Sequence, residues 1–353
     1  MKTLSSVKAL FISLSLLVSY TIPYCLAAQK TAYVTIDGDI IEDDEKHHNT
    51  SSTVSCALLI SSGSSYTGTN IVVSTVCRSS SFGDAAIYSK GGKFLNLGAN
   101  YGWSSVTVSK GGVYGGYSSA IELSDMTETS TIYNTKIYNY ADGGTGIRLW
   151  NNSNLLLDNV EIYNASDTAI HASRNATISN KGNGIIRIST TGDNEASIFA
   201  SGDSKVTLYN THIENKKSST RGVLVGDSST ISLTNSSISS VNNNTLISGS
   251  GNLEVSLSNV DLSKSKNQRI SASSDLTVNI QNGTSFDGYT SQENDGSINI
   301  NLTKSSWNIT KNSNLFSLSL NENSFLTFNF GNGDKFYYIS AGSVFMDKSS
   351  QIR

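Results

Sequence analysis

The stretch "VTLYNTHIE" (206–214) returns three times downstream, as "ISLTNSSIS" (231–239), "VSLSNVDLS" (255–263) and "VNIQNGTSF" (278–286). Each copy sets two apolar residues one position apart and an asparagine two residues after the second. Taken as a marker, that asparagine recurs as Asn134, Asn159, Asn180, Asn210, Asn235, Asn259 and Asn282. A period of about two dozen residues marks a stacked repeat architecture. Inside each unit the apolar residues alternate, as in Val206/Leu208 and Val255/Leu257, with polar residues between them. Alternation is the strand period with one buried face, and the missing helical spacing excludes leucine-rich, ankyrin and tetratricopeptide repeats. A further apolar phrase follows Gly or Ala in each unit, as in "AIELS" (120–124), "GIRLW" (146–150), "AIHAS" (169–173) and "GVLVGD" (222–227). A unit with about three short strands separated by bends is one rung of a right-handed, single-stranded parallel β-helix. The expected fold is thus an all-β solenoid of roughly ten rungs between Ala85 and Phe345, at about 4.8 Å per rung.

The repeated asparagine has a physical cause. A sharp bend between strands needs a left-handed residue, and asparagine tolerates that conformation better than other non-glycine residues. Stacked bends also let the amides hydrogen-bond up the column, so the seven markers are expected to form a structural ladder. Segments between phrases, such as 216–221 and 263–269, are then free to vary.

Composition agrees with a polar coil. The chain has 353 residues, 37% hydrophobic and 15% charged, with a net charge of −3. Ser, Thr, Asn and Gly supply the balance, which suits neither a helical bundle nor a charged disordered tail. No Lys/Arg cluster marks a nucleic-acid binder. The single proline, Pro23, lies in the leader, so every later strand residue can donate to a ladder. The leader itself carries Lys2 and Lys8, then an apolar run from Ala9 to Val18. It reads as a signal peptide, residues 1–27, cleaved after Ala27 or Ala28. Residues 28–84 break the repeat and are expected to be an N-terminal cap, 85–300 the β-helix, and 301–353 the closing coils. Past the leader only Cys56 and Cys77 remain, and an even pair in an exported chain reads as a disulfide, with two free thiols as the other reading.

Three constellations were candidates for chemistry. Aligned strands place Glu122, Arg148, His171 and Arg187 in one outward stripe, with Lys136 and Glu161 facing each other on a neighbouring wall. Such a stripe suits a catalytic or sugar-binding groove, but a charge ladder between strands explains it more simply. A glycosidase would need facing carboxylates and a calcium-dependent lyase clustered aspartates, and neither accompanies the stripe. "GDSST" (226–230) matches the surroundings of a serine nucleophile, yet "SGDSK" (201–205) repeats it at an equivalent turn, which makes it a turn. "EDDEKHH" (42–48) offers His47 and His48, but adjacent histidines point apart on a strand, and a solvated loop is expected. No catalytic group, metal or cofactor is nominated.

The end of the chain, "SSWNITKNSNLFSLSLNENSFLTFNF" (305–330), resembles the closing coils of pertactin-like autotransporter passenger domains. Trp307, Ile309, Thr310, Ser313, Leu315, Leu318, Leu320 and Phe328 fill the places of that family's Trp-x-Val/Ile-Thr phrase and its following leucine pattern. "KFYYISAGSVFMDKSS" (335–350) resembles the start of the family's junction region. The resemblance implies a type V secretion passenger of a Gram-negative bacterium, at the cell surface, in the outer membrane or secreted. It also implies an adhesin or virulence role, a monomeric rod and a host-surface or matrix partner. A translocator barrel is expected after the passenger. The chain stops at Arg353 without it, so the expectation is a truncated autotransporter, a fragment or a degenerate copy. The alternative on the same fold is a secreted polysaccharide lyase or hydrolase.

Overall fold

The computed structural model describes residues 29–353 except 31–33, 37, 44–45, 50–55, 77–83, 110–117, 142, 166, 181, 192–195, 217–220, 227, 242–243 and 329–336. The expected leader and Cys77 lie outside the described residues; Cys56 is buried. The described chain is all-β without a helix, and its parallel strands stack into a solenoid of about ten turns.

Each rung has three walls. The first holds Thr145–Trp150 and its equivalents, the second Lys205–Tyr209, the third Thr211–Asn215. Alternation sends every second side chain inward, and the register stacks like on like. On the second wall Leu208 pairs with Leu233, then Leu257, Ile280, Leu302 and Leu320. On the first, Ile121 pairs with Ile147, then Ile170, Ile198 and Val223. Both columns are buried, and one continuous core runs from Ala57 to Leu326. Each rung thus hides its apolar face only against its neighbours. Parallel pairing also reaches into the segment expected as a cap: Gln29–Lys30 pairs with Lys46–Asn49, and Asp39–Asp43 with Ser65–Thr69.

The corner between second and third walls carries the marker asparagines. Asn134, Asn159, Asn210, Asn235, Asn259 and Asn282 are all left-handed, with φ between 43° and 54°. The ladder itself is shorter than expected. Asn159 donates to Asn134 and Asn259 to Asn235, both at 2.8 Å, while Asn134 turns to the Ala99 carbonyl and Asn282 to the Ser258 hydroxyl. Asn210 donates to the Gly182 carbonyl. The gap between Asn159 and Asn210 has a cause in Asn180, which is not a corner residue. It aligns with Leu157 on the second wall, is buried, and brackets Tyr209, donating to its carbonyl at 2.7 Å and accepting its N–H at 2.8 Å. Residues 182–185 lie at that rung's corner, and the amide of Asn180 supplies the pairing to the Tyr209 backbone there.

Serine and threonine hydroxyls complete the corners. Leu95, Met126, Ala176 and Ser204 donate their N–H groups to the hydroxyls of Ser130, Ser153, Ser204 and Ser229, at 3.0–3.1 Å. At the asparagine corner, Thr211 and Val260 donate to Ser236 and Thr284 at 3.0 and 2.9 Å. Backbone that turns out of a ladder would otherwise leave buried donors unpaired, at about 1–3 kcal/mol each. The polar composition is therefore part of the core's design.

Two sequence expectations are corrected nearby. The described residues of 42–48 are strand rather than solvated loop, with residues 42–43 in Asp39–Asp43. Lys46–Asn49 is a strand, and His47 is fully buried with its Nε2 3.4 Å from the Tyr66 hydroxyl. The two Gly-Asp-Ser copies share a turn but are out of step by one residue: Ser204 is matched by Ser229, while Ser228 sits exposed at φ 54°.

Candidate functional site

The expected stripe divides between two walls. On the first, Glu122 pairs with Arg148 and Arg148 with His171, as expected, but the next residue in the column is Phe199. Arg187 stands on the third wall, where Ile186–Thr190 lies between residues 160–165 and Thr211–Asn215. The phrase Ile186-Arg187-Ile188 has the same alternation as the first-wall strands, and alternation alone does not say which wall a strand occupies.

The first-wall cluster is closed. Arg148 is only 4% exposed; its Nη1 lies 3.7 Å from Glu122 and its Nη2 4.0 Å from Asp167. The Thr145 hydroxyl accepts from Arg148 Nη2 at 3.3 Å and donates to Asp167 at 2.9 Å. The Arg148 Nε and Nη1 make no hydrogen bond among the described residues. Burial raises the Asp167 carboxyl, partly offset by the Thr145 bond and the Arg148 charge. His171 lies between Trp150 and Phe199, ring centroids 5.8 and 4.6 Å away. Burial, then the Arg148 charge, pushes its imidazole down to about 3, so it is neutral at ordinary pH. Both carboxylates contact one guanidinium, so the arrangement neutralises a buried arginine and leaves neither of them disengaged from it.

The third-wall column is open. Register aligns Lys136, Glu161, Arg187 and His212 across successive rungs. Lys136 Nζ lies 3.3 Å from Glu161, as expected, and Arg187 Nη1 3.0 Å from the other carboxylate oxygen. Tyr163 donates to Glu161 at 2.7 Å. Burial pushes the Glu161 carboxyl up, but the bonds from Tyr163 and Lys136 and the charges of Lys136 and Arg187 outweigh it and leave it below its ordinary value. Burial and the bond to Glu161 push the Tyr163 phenol up to about 12, so it stays a donor.

Aromatic rings flank this column. Tyr138 stacks on Tyr163 at 5.2 Å and lies parallel to Tyr140 at 6.2 Å. Lys136 sits 4.7 Å over the Trp103 ring, a cation–π contact. Beside the column opens a cavity of about 290 Å³, lined by Tyr163, Arg187, Ser189, His212, Glu214 and Lys264 among others. Sequence reading paired Lys136 with Glu161 but missed the rings. The signal was the alternation itself, because Tyr138 and Tyr163 each follow those residues by two and share their outward face. Among the described residues no group of three His, Cys, Asp or Glu side chains is placed to hold a metal ion.

The terminal motif residues serve the core. Trp307, Ile309, Leu315, Leu318 and Leu320 are buried, and Phe328 packs against the same core. The buried Ser313 hydroxyl accepts from the Thr290 N–H at 3.2 Å, and Thr310 donates to Asn267. No family model, curated protein or solved structure matches the chain.

Proposed function

We propose that the chain is an exported bacterial surface rod of the autotransporter-passenger type, which works by adhesion. The observation that carries this reading is the solenoid with its open outer wall: in-register rungs hold Lys136, Glu161, Arg187 and His212 in a fixed surface column. A stacked rod projects loops and outer side chains away from its anchor, where they supply contacts to a host surface or matrix component. The Trp307-to-Phe328 resemblance supports the passenger assignment, and with it a translocator barrel as partner. The polysaccharide lyase alternative loses support at Arg148, whose guanidinium is buried between Glu122 and Asp167 and so is withheld from a solvent-borne polymer.

The experiment is saturable binding of the purified chain to epithelial cells and immobilised matrix proteins, run beside a broad polysaccharide panel. Saturable binding without depolymerisation is the expected result. Depolymerisation, or the absence of saturable binding on every surface, contradicts the proposal.

A further inference from the structure

We propose that the third-wall strip of Trp103, Lys136, Tyr138, Tyr163, Arg187 and His212 binds an extended anionic glycan. This inference rests on the adhesive reading and names the ligand class for it. Among the described residues Lys136, Arg187, Lys216 and Lys264 outnumber the carboxylates they face, Glu161, Glu214 and Asp261, so the strip is positive on a chain of net charge −3. Glu161 is held on both sides by Lys136 and Arg187, which leaves a surplus of cation. The Arg187 side chain is 45% exposed, and only its Nη1 bonds Glu161 among the described residues. Its remaining donors suit a carboxylate or sulfate, which a guanidinium binds in bidentate fashion.

The parallel rings of Tyr138, Tyr140 and Tyr163, with Trp103 beside Lys136, set partly exposed aromatic surface next to cations. Trp103 and Tyr140 are 37% and 47% exposed. A pyranose ring presents a matching pairing of apolar C–H face and polar rim. Column residues repeat once per rung, at about 4.8 Å, close to the length of one sugar in an extended chain. A polyphosphate backbone asks for denser cations than this strip supplies. The cavity of about 290 Å³ beside Arg187 and His212 gives one sugar a recess, just below the ligand-pocket range of about 300–1,000 Å³.

The test measures binding of the full chain, by biolayer interferometry, to heparin (sulfated), polygalacturonate (carboxylated), dextran (neutral) and single-stranded DNA. The expected result is binding to at least one anionic glycan and none to dextran. Arg187→Gln and Tyr138→Ala are each expected to weaken it about tenfold or more, equal to about 1.4 kcal/mol. Lys304→Gln, a cation at the second-wall corner outside the strip, is expected to stay within about twofold of the parent affinity. The preferred probe separates sulfated from carboxylated ligands. Circular dichroism and melting temperature confirm that each variant folds. Equal losses in Arg187→Gln and Lys304→Gln, tighter Arg187-dependent binding of DNA, or no binding to either anionic glycan overturns the proposal. Cell binding that survives with no glycan affinity sinks the strip alone, whereas a parent chain that binds no cells sinks the adhesive reading.

Discussion

Trp307→Ala is expected to destabilise the chain by about 4 kcal/mol, because a large buried side chain leaves a cavity that rigid stacked rungs do not close. Trp307 is fully buried, lies 5.9 Å from the Phe286 ring and donates its Nε1–H to the Gly288 carbonyl at 3.0 Å. Cavity cost dominates over the lost hydrogen bond, since that carbonyl also accepts the Thr310 N–H at 3.1 Å and keeps a partner. Trp307→Phe should therefore cost much less, with the lost bond contributing about 1 kcal/mol. In a quasi-one-dimensional stack the damage stays local, so the C-terminal coils should open first. Urea melts give the energies, and limited trypsin digestion should cut earlier at Lys304 and Lys311 in the Ala variant. A loss below about 1.5 kcal/mol with unchanged digestion contradicts the account.

Acidification from pH 7.5 to 4.5 is expected to destabilise the rod through His171. In the unfolded chain this imidazole takes up a proton near its ordinary value of 6.5, while the folded one resists until about 3, by burial first and the Arg148 charge second. Between those values the unfolded state binds more protons, so stability present above 6.5 is lost as pH falls. At pH 4.5 the loss amounts to about 2–3 kcal/mol. Asp167 acts in the opposite sense: its folded carboxyl is raised, so acid favours the fold in its window, just above the ordinary 3.8. Glu161 is lowered, so its contribution is lost only as pH falls below about the ordinary 4.5. His171 thus governs the range from 6.5 down to about 5. His171→Phe places there the residue type that already occupies the next position of the column, Phe199. It should flatten the difference between urea melts at the two pH values to under about 1 kcal/mol. An unchanged pH dependence removes His171 from the explanation.

The coil was legible because its two causes are local: alternation fixes the inward columns, and left-handed asparagine fixes the corner. Both hold for Leu208, Leu233 and Leu257 and for six of the seven marker asparagines. What escaped depends on counting along the chain through insertions. Arg187 moved to another wall, and Asn180 moved inward, because residues 182–185 occupy the corner of their rung. The buried hydroxyls escaped for a different reason. A serine accepting a neighbour's N–H looks in sequence like any serine of a polar loop, although Ser153 and Ser204 are almost wholly buried. The half-buried tyrosines beside Glu161, Tyr138 and Tyr163, needed the register before their stacking meant anything.

The surface strip exists only if successive rungs stack in register, and disulfide trapping tests that most directly. Ser232 and Ser256 are register partners on adjacent rungs, while Thr207 and Ser256 are separated by the rung of Ser232. With Cys56 and Cys77 replaced by serine, the Ser232→Cys/Ser256→Cys pair should oxidise readily, since adjacent parallel strands stand about 4.8 Å apart, within disulfide reach. The Thr207→Cys/Ser256→Cys pair should stay reduced, at about twice that spacing. Equal trapping of both pairs, or trapping of the second alone, would contradict the stacked register and with it the strip.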